Sequence, residues 1–243
     1  MANIIKGGHT VYGYDLGILM LDTRFPRIIG DVGNAQTWNF PVLYKVVHGA
    51  KPSKVVLDLT LDDIEPFVRA ARELEACGVK AITTSCGFLA MFQDELAKCL
   101  DVPVFTSSLL MLPLLSRMFG RRKILVCTAN SRTLTEAHLK PVCGILDAGS
   151  YEIVGTEDQP TFTNFTVQNW EQVDRDLCEA EILDVIAAKL RKNPREFGAI
   201  LLECTNMPPY SDSIRKKFGL PVYDFVTFVN FVHSSICRNG FQP

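Results

Sequence analysis

The sequence predicts an α/β fold made of two similar halves, each built on a parallel sheet. Two observations support this prediction. Short strand-like apolar runs alternate with longer segments of helical spacing along the 243 residues, and such alternation is typical of parallel sheets with helical crossovers. In addition, residues 81–105 align with residues 199–223 without a gap when the chain is shifted by 118 positions.

The predicted elements follow one another in a regular order. Strands are expected at 17–21 and 55–59, and the next segment, 61–77, has apolar residues at helical spacing and ends at Gly78. A strand at 81–84, a helix at 88–100 and a strand at 102–105 complete the first half. In the second half we expect strands at 123–127, 151–155, 199–202 and 222–225 and helices at 131–139, 171–190 and 211–218.

The internal repeat indicates that one structural unit occurs twice. Seven of its 25 aligned positions are identical, including Cys86 with Cys204 and Pro103 with Pro221. Chance would give about one or two identities from average residue usage. We therefore predict two domains, the first formed by residues 1–106 together with 214–243 and the second by residues 107–213.

Composition and charge limit the classes of function. With 47% hydrophobic and 21% charged residues the chain can bury a sizeable core, and its net charge is −2 without a long run of like charge. This balance favours neither a nucleic-acid nor a membrane partner. The first ten residues lack the pattern of a signal peptide, and the longest strongly apolar stretch, 109–115, is too short to span a bilayer. We expect a cytoplasmic protein with a small-molecule partner, and a homodimer as the commonest symmetric assembly.

The cysteine and glycine patterns give no indication of a cofactor. None of the eight cysteines forms a Cys-x-x-Cys pair, and the four histidines are scattered, so free thiols and no metal site are expected. The chain contains neither a Walker A motif nor a G-x-G-x-x-G motif, which argues against a nucleotide.

Cys86 and Cys204 stand out among the cysteines because each directly follows a predicted strand and precedes a helix. Ligands of open α/β sheets bind at this end of the strands. The start of a helix also lowers the pKa of a thiol, so reactive cysteines are expected there. A single buried cysteine is as often structural as functional. Recurrence at equivalent positions favours a catalytic role for both, and the other six are assigned to packing.

At these residues the sequence resembles the aspartate/glutamate racemase superfamily, whose racemases act on glutamate, aspartate and hydantoins without a cofactor. The resemblance implies two pseudo-symmetric parallel-sheet α/β domains with the active site in the interdomain cleft. It covers most of the chain and rests on short polar motifs at strand ends, which are Asp22–Thr23, Thr84–Ser85–Cys86, Thr128 and Cys204–Thr205.

The resemblance implies a racemase for an amino acid of the Asp/Glu type or a related compound. Cys86 and Cys204 would act as base and acid on opposite faces of the substrate Cα. The substrate carboxylate would be received by backbone N–H groups of Gly87, Thr205 and Asn206 and by hydroxyls of Thr23, Ser85 and Thr128. The remaining expected substrate contacts are Asp22, Arg24, Thr84 and Phe88, and Arg27 is a further candidate for a second carboxylate.

Several positions depart from the pattern of glutamate racemases. Gly87 and Phe88 replace an asparagine and a threonine after the first cysteine, Glu203 replaces the glycine before the second, and Asn206 replaces a histidine. These departures argue against strict glutamate specificity. Two alternatives therefore stand beside the racemase: a cysteine-dependent isomerase or lyase of the same superfamily, similar to maleate isomerases or decarboxylases, and a non-catalytic protein that binds a small acid.

Overall fold

A computed structural model describes residues 4–5, 7–192 and 195–238 and places its strands in two four-stranded parallel sheets. The first sheet has the order β2-β1-β3-β4 and the second the order β6-β5-β7-β8. The strands are β1 Leu16–Leu21, β2 Val42–Val47, β3 Ala81–Thr84, β4 Val104–Phe105, β5 Lys123–Thr128, β6 Tyr151–Gly155, β7 Phe197–Leu202 and β8 Val222–Tyr223. The predicted fold class is confirmed.

Helices connect the strands within the described part of the chain. They are α1 Pro52–Leu57, α2 Glu65–Ala76, α3 Gln93–Cys99, α4 Leu112–Phe119, α5 Glu136–Cys143, α6 Phe162–Val167, α7 Arg175–Leu190, α8 Ser211–Phe218 and α9 Phe225–Ile236. The turn before α2 has a reciprocal cap between Thr60 and Asp63. Gly78, with φ of 83°, then provides the left-handed turn that leads back to the sheet.

Two sequence assignments in the first half are wrong. The predicted strand at 55–59 lies mostly in helix α1, which begins at Pro52 and buries Val55 and Val56. Proline is favourable at the first position of a helix, and a short apolar run does not distinguish a strand from a helix turn. The missing fourth strand is β2, which includes the half-exposed Lys45 and which, among the described residues, pairs with β1 alone. An edge strand of this kind has a weaker apolar signal.

The structure reproduces the repeat in its hydrogen bonds. The loop after each cysteine closes with the same backbone bond, Leu89 N to Cys86 O and Met207 N to Cys204 O, both of 3.1 Å. The start of each following helix is tied to the next strand end by equivalent polar side chains, through the pairs Gln93–Thr106 and Ser211–Asp224. The two halves therefore share local geometry as well as sequence.

The helix after each repeat packs on the other half. Helix α4 contacts β5 and β7 of the second sheet. Helix α9 returns to the first half, where the Phe228 ring lies 5.4 Å from that of Phe105 and His233 contacts Asp15 at 3.3 Å. Strand β8 pairs with β7, so the chain from α9 onward is the part that packs on the first sheet. The division at residues 106/107 and 213/214 stays a prediction.

None of the helices in residues 7–192 and 195–238 combines the length and apolar composition needed to cross a bilayer.

Candidate active site

The two strand ends that carry Cys86 and Cys204 meet at one buried cavity. Both cysteines line it, and each is 8% exposed. The hydroxyl of Thr205 donates a hydrogen bond of 2.6 Å to the carbonyl oxygen of Ser85 and so joins the ends of β7 and β3 directly. The parallel topology places both strand ends at the same edge of their sheets, which brings residues 118 positions apart into one site.

The walls of the cavity are largely apolar. Leu21, Phe25, Val56 and Phe88 lie along it, together with Pro52 at the start of α1. The side chains in the wall that can carry a charge are Arg27, Glu203 and the two cysteines. This lining suits a ligand with apolar groups and few charges, and the cavity, with a volume of about 20 Å³, must widen to admit one larger than water.

The mouth of the cavity is closed by segments from both halves. Helix α1 and helix α6 contact each other above it. The Phe25 ring packs edge-on against Phe165 at 5.6 Å. The side-chain oxygen of Asn169 accepts hydrogen bonds from the backbone N–H groups of Arg24, at 2.6 Å, and Phe25, at 3.2 Å. The loop after β1 is thereby fixed to the second half.

Burial changes the expected state of the thiols. It raises the pKa of Cys86 from 9.0 to about 12 and that of Cys204 well above 9.0, and the nearby Glu203 carboxylate acts in the same direction. The expectation of a lowered thiol pKa is wrong for these buried thiols. The effect of the loop N–H groups is present but smaller than the cost of desolvating a thiolate.

The two thiols differ in the groups that oppose this rise. The backbone N–H groups of Phe88 and Leu89 and the Arg27 guanidinium lower the pKa of Cys86. The backbone N–H of Asn206 lowers the pKa of Cys204, whereas the Cys86 sulfur and Asp31 raise it further. A thiolate is therefore more favourable at Cys86 than at Cys204.

A chain of polar contacts connects Arg27 to Cys204. Arg27, whose side chain is 12% exposed, donates to Asp31 at 2.7 Å and to the Thr23 hydroxyl at 3.0 Å. The other oxygen of Asp31 accepts from the Asn206 amide at 2.5 Å. The amide oxygen of Asn206 lies 3.7 Å from the Cys204 sulfur. This chain holds the guanidinium rigidly at the cavity wall.

Glu203 is the unexpected ionisable group of the site. It is fully buried at the end of β7, and its Oε2 accepts a hydrogen bond of 2.6 Å from Thr128. Its Oε1 is buried without a hydrogen-bond partner. Burial raises the pKa of this carboxyl from 4.5 to about 7, while the bond from Thr128 opposes the rise. A carboxyl with this pKa changes charge near neutral pH.

The structure brings most of the predicted site residues to the cavity. Those in its wall are Ser85, Cys86, Gly87, Phe88, Cys204, Thr205 and Asn206. Two others support wall residues from behind, since Thr23 accepts from Arg27 and Thr128 donates to Glu203. Their roles toward a substrate stay predictions.

Three predicted contacts are placed elsewhere. Thr84 is buried and donates to the carbonyl oxygens of Cys86 and Thr106, which gives it a structural bond. Asp22 accepts from the backbone N–H of Gly49 outside the cavity. Arg24 is 77% exposed and pairs with Glu171. Asp22 and Arg24 line a larger, open cleft next to the mouth of the cavity.

The positions of Glu203 and Arg27 in the cavity wall were not predicted from the sequence. A glutamate directly after the apolar strand 197–202 is the available signal for the first. Arg27 has no comparable local signal, because its position depends on the fold of the loop after β1 and on Asp31 and Thr23.

The sequence is similar to those of two curated proteins over most of its length. It is 34% identical over 232 residues to dimethylsulfoniopropionate lyase 7 of Emiliania huxleyi, covering 92% of this chain and 67% of that protein. It is also 34% identical over 228 residues to the dimethylsulfoniopropionate lyase of Durusdinium sp. clade D, covering 89% of this chain and 73% of the relative.

Solved structures and a family comparison agree on the fold. Allantoin racemase from Klebsiella pneumoniae matches with a TM-score of 0.64 at 17% identity, covering 91% of this chain and 87% of that one. Residues 58–229 match the family described as Asp/Glu/Hydantoin racemase. With this match and the two cysteine strand ends at one cavity, the chain belongs to the Asp/Glu/hydantoin racemase family.

Proposed function

We propose that this protein is a cysteine-dependent lyase that cleaves dimethylsulfoniopropionate into dimethyl sulfide and acrylate. The observation that carries the proposal is the 34% identity, over 92% of the chain, to a relative named for that activity. It corresponds to the lyase alternative of the sequence analysis, and the family's capacity to remove a proton next to a carboxylate fits the first step of the reaction.

The reaction needs one base. Dimethylsulfoniopropionate carries a carboxylate, two methylene groups and a dimethylsulfonium cation. The base removes a proton from the carbon next to the carboxylate, and the electrons of that C–H bond form the double bond of acrylate. The bond between the second carbon and sulfur breaks, and its electron pair leaves with dimethyl sulfide. The base holds the proton and must release it to water before the next turnover.

Cys86 is the proposed base. Its thiolate is favoured by two backbone N–H groups and by the Arg27 cation, although burial opposes ionisation in the closed cavity. A bound sulfonium brings a positive charge into the same cavity and would counteract this rise of the thiol pKa. The half-buried Arg27 would receive the substrate carboxylate, and the apolar wall of Leu21, Val56 and Phe88 would receive the methyl groups.

The test is a direct assay of the purified chain with dimethylsulfoniopropionate. Dimethyl sulfide is measured in the headspace by gas chromatography, and acrylate is measured in solution by NMR in equal amounts. The Cys86→Ser variant provides the background rate, and Cys99→Ser, with a partly exposed thiol away from the cavity wall, is the matched control. Absence of dimethyl sulfide above the Cys86→Ser background would reject the lyase.

A racemase is the second candidate, because the cavity contains two thiols and an elimination needs one. Two thiols at one cavity are the arrangement that two-base racemisation requires. Polarimetry with enantiomers of amino acids and hydantoins tests this activity, and exchange of the Cα proton in D₂O detects proton removal without inversion. Inversion of any enantiomer at a rate above that of a Cys86→Ser and Cys204→Ser double variant would favour the racemase.

A further inference from the structure

When it ionises, Glu203 places a negative charge at the cavity wall for which the described residues supply no paired cation. Its Oε2 is held by a neutral hydroxyl, Thr128, and its Oε1 is buried without any hydrogen-bond partner. Arg27, the cation in the cavity wall, is already paired with Asp31. Buried carboxylates are otherwise found paired, since an isolated charge is costly to bury. The missing partner can be supplied by a ligand.

The loop after Cys86 leaves room for this carboxyl group. A Cβ atom at position 87 would overlap Oε1 of Glu203, so glycine at 87 is required by the buried glutamate. The first repeat thus lacks a side chain where the second supplies a carboxyl group. Glycine at position 87 and glutamate at position 203 therefore depend on each other, and together they place a carboxyl group in the cavity wall.

The charges in the cavity are arranged around Cys86. The Arg27 cation and the Glu203 carboxylate both act on the Cys86 thiol, in opposite directions. A ligand with a carboxylate at one end and a cation at the other carries a charge opposite to that of each of these two wall residues. Cys86, to which the proton removal is assigned, lines the same cavity.

We propose that the ionised Glu203 carboxylate is the receptor for the substrate cation and makes the site selective for acids that carry a sulfonium or quaternary ammonium group. This inference rests on the proposed function for the choice of a sulfonium. The selectivity is a property of binding and can be measured without turnover. Glu203 thus determines specificity, while the proton transfer is assigned to Cys86.

The pH dependence of binding follows from the groups around the carboxyl. Cys86 and Cys127 have pKa values raised to about 12, and the pKa of Cys204 is raised as well, so these facing thiols keep their charge state between pH 6 and 8. Glu203, with a pKa of about 7, ionises in this interval. An acid that carries a cationic group therefore binds more tightly at pH 8 than at pH 6, and an acid without the cationic group does not.

Two acids of equal chain length test the proposal by calorimetric titration. 3-(Trimethylammonio)propionate carries a fixed cation, and 4-methylpentanoate has a neutral branched carbon in place of the sulfonium sulfur. At pH 8 we expect the wild type to bind the cationic acid at least about 10-fold more tightly. Glu203→Gln should weaken its binding by roughly 30-fold or more, should not weaken the binding of 4-methylpentanoate, and should remove the pH dependence.

Glu181→Gln is the matched control. Glu181 is also a buried glutamate, but both of its oxygens accept backbone N–H groups at Thr161 and Phe162, and it is absent from the cavity wall. This variant should keep the preference for the cationic acid. If Glu203→Gln does not fold, the wild-type titration between pH 6 and 8 is sufficient, because a preference that does not fall toward pH 6 rejects the proposal.

The outcomes separate this inference from the lyase proposal. Equal affinity for both acids in the wild type, an unchanged preference in Glu203→Gln, or failure of the cationic acid to bind would each overturn the role of Glu203. A Glu203-dependent preference for the cation in a protein that releases no dimethyl sulfide would reject the lyase and keep the receptor. Release of dimethyl sulfide without such a preference would support the lyase and reject the receptor role of Glu203.

Discussion

Cys86 and Cys204 occupy equivalent positions of the two repeats, and the backbone around them is held by equivalent bonds. Their neighbours differ. Position 85 is a serine and the equivalent position 203 a glutamate, while position 88 is a phenylalanine and the equivalent position 206 an asparagine. The cation at Arg27 favours a thiolate at Cys86, whereas Asp31 disfavours one at Cys204.

This difference shows how two thiols at equivalent positions of a repeat can have different chemical roles. The repeat supplies the same strand end and the same loop twice, so each sulfur reaches the shared cavity. A few substitutions next to the sulfurs then set their relative acidity. On this basis Cys86 is the base of the proposed elimination, and Cys204 remains a neutral thiol in the wall.

The largest effect is expected from the two cysteines themselves. Cys86→Ser should lower the rate of dimethyl sulfide release by about 10²- to 10⁴-fold, because it removes the general base. Cys204→Ser should lower it by about 10-fold or less, because serine keeps a hydrogen-bonding group of similar size. Initial rates for both variants at equal protein concentration provide the comparison.

The same rates can contradict the assignment of Cys86 as the base and Cys204 as a neutral thiol. Equal loss of activity in Cys86→Ser and Cys204→Ser would mean that both thiols transfer protons, which favours the racemase. A larger loss in Cys204→Ser would reverse the assignment of the base. Cys178→Ser, which changes a buried cysteine on α7 outside the cavity wall, should remain within a few-fold of the wild type.

The second comparison concerns the stability of the two strand ends. Glu203 has a pKa of about 7 in the folded chain and an ordinary value of 4.5. Between these values the folded state holds a proton that the unfolded state has lost, so stability falls as pH rises, with the full cost reached above pH 7. Glu203→Gln should therefore raise the free energy of unfolding by up to about 3 kcal/mol at pH 8 and leave it nearly unchanged near pH 4.5.

Urea denaturation at the two pH values measures this difference. Ser85→Ala at the equivalent position of the first repeat is the control. Ser85 accepts a hydrogen bond of 2.9 Å from the backbone N–H of Leu21, so its loss should lower stability by the same amount at both pH values. A Glu203→Gln variant whose gain does not depend on pH would contradict the raised pKa.

Much of the fold was accessible from the sequence because the repeat constrains it. The match between residues 81–105 and 199–223 predicts two parallel-sheet units and identifies their two cysteine strand ends. Apart from helices α4, α6 and α9, for which no element was predicted, the errors fall on two segments outside the repeat, β2 and α1. Neither segment has a second copy in the chain, and both are short, so local pattern alone does not determine their type.

The site was less accessible because its electrostatics depend on burial. The position of a cysteine at a strand end suggests a lowered pKa, but the closure of the cavity by α1 and α6 reverses the direction. The closure is a long-range contact that no local motif encodes. For the same reason Arg24 and Arg27 are indistinguishable in the sequence, although the side chain of one is 77% exposed and that of the other 12%.

These two arginines give a third, smaller prediction. Arg27→Lys should lower kcat/KM for the lyase reaction by about 10- to 30-fold, mainly through KM, because a lysine cannot keep the contacts to Asp31 and Thr23 and also receive a carboxylate. Arg24→Lys should have no measurable effect, since Arg24 lies in the exposed outer cleft. Equal effects of the two variants would remove Arg27 from the proposed substrate contacts.

The smallest effect is expected where the two halves are joined at the mouth of the cavity. Asn169 has a φ of 60°, which glycine tolerates well, so Asn169→Gly keeps the backbone and removes the side-chain oxygen that accepts from Arg24 and Phe25. The loop after β1 then loses its attachment to the second half, and KM should rise by about 3-fold while kcat changes less. Asn164→Gly is the comparison. It removes the hydrogen bonds of a half-buried α6 side chain with Pro160 and Gln168 and tests whether general loosening of this segment has the same result. If both variants raise KM equally, closure depends on the stability of α6; if only Asn169→Gly does, it depends on the bridge between the halves.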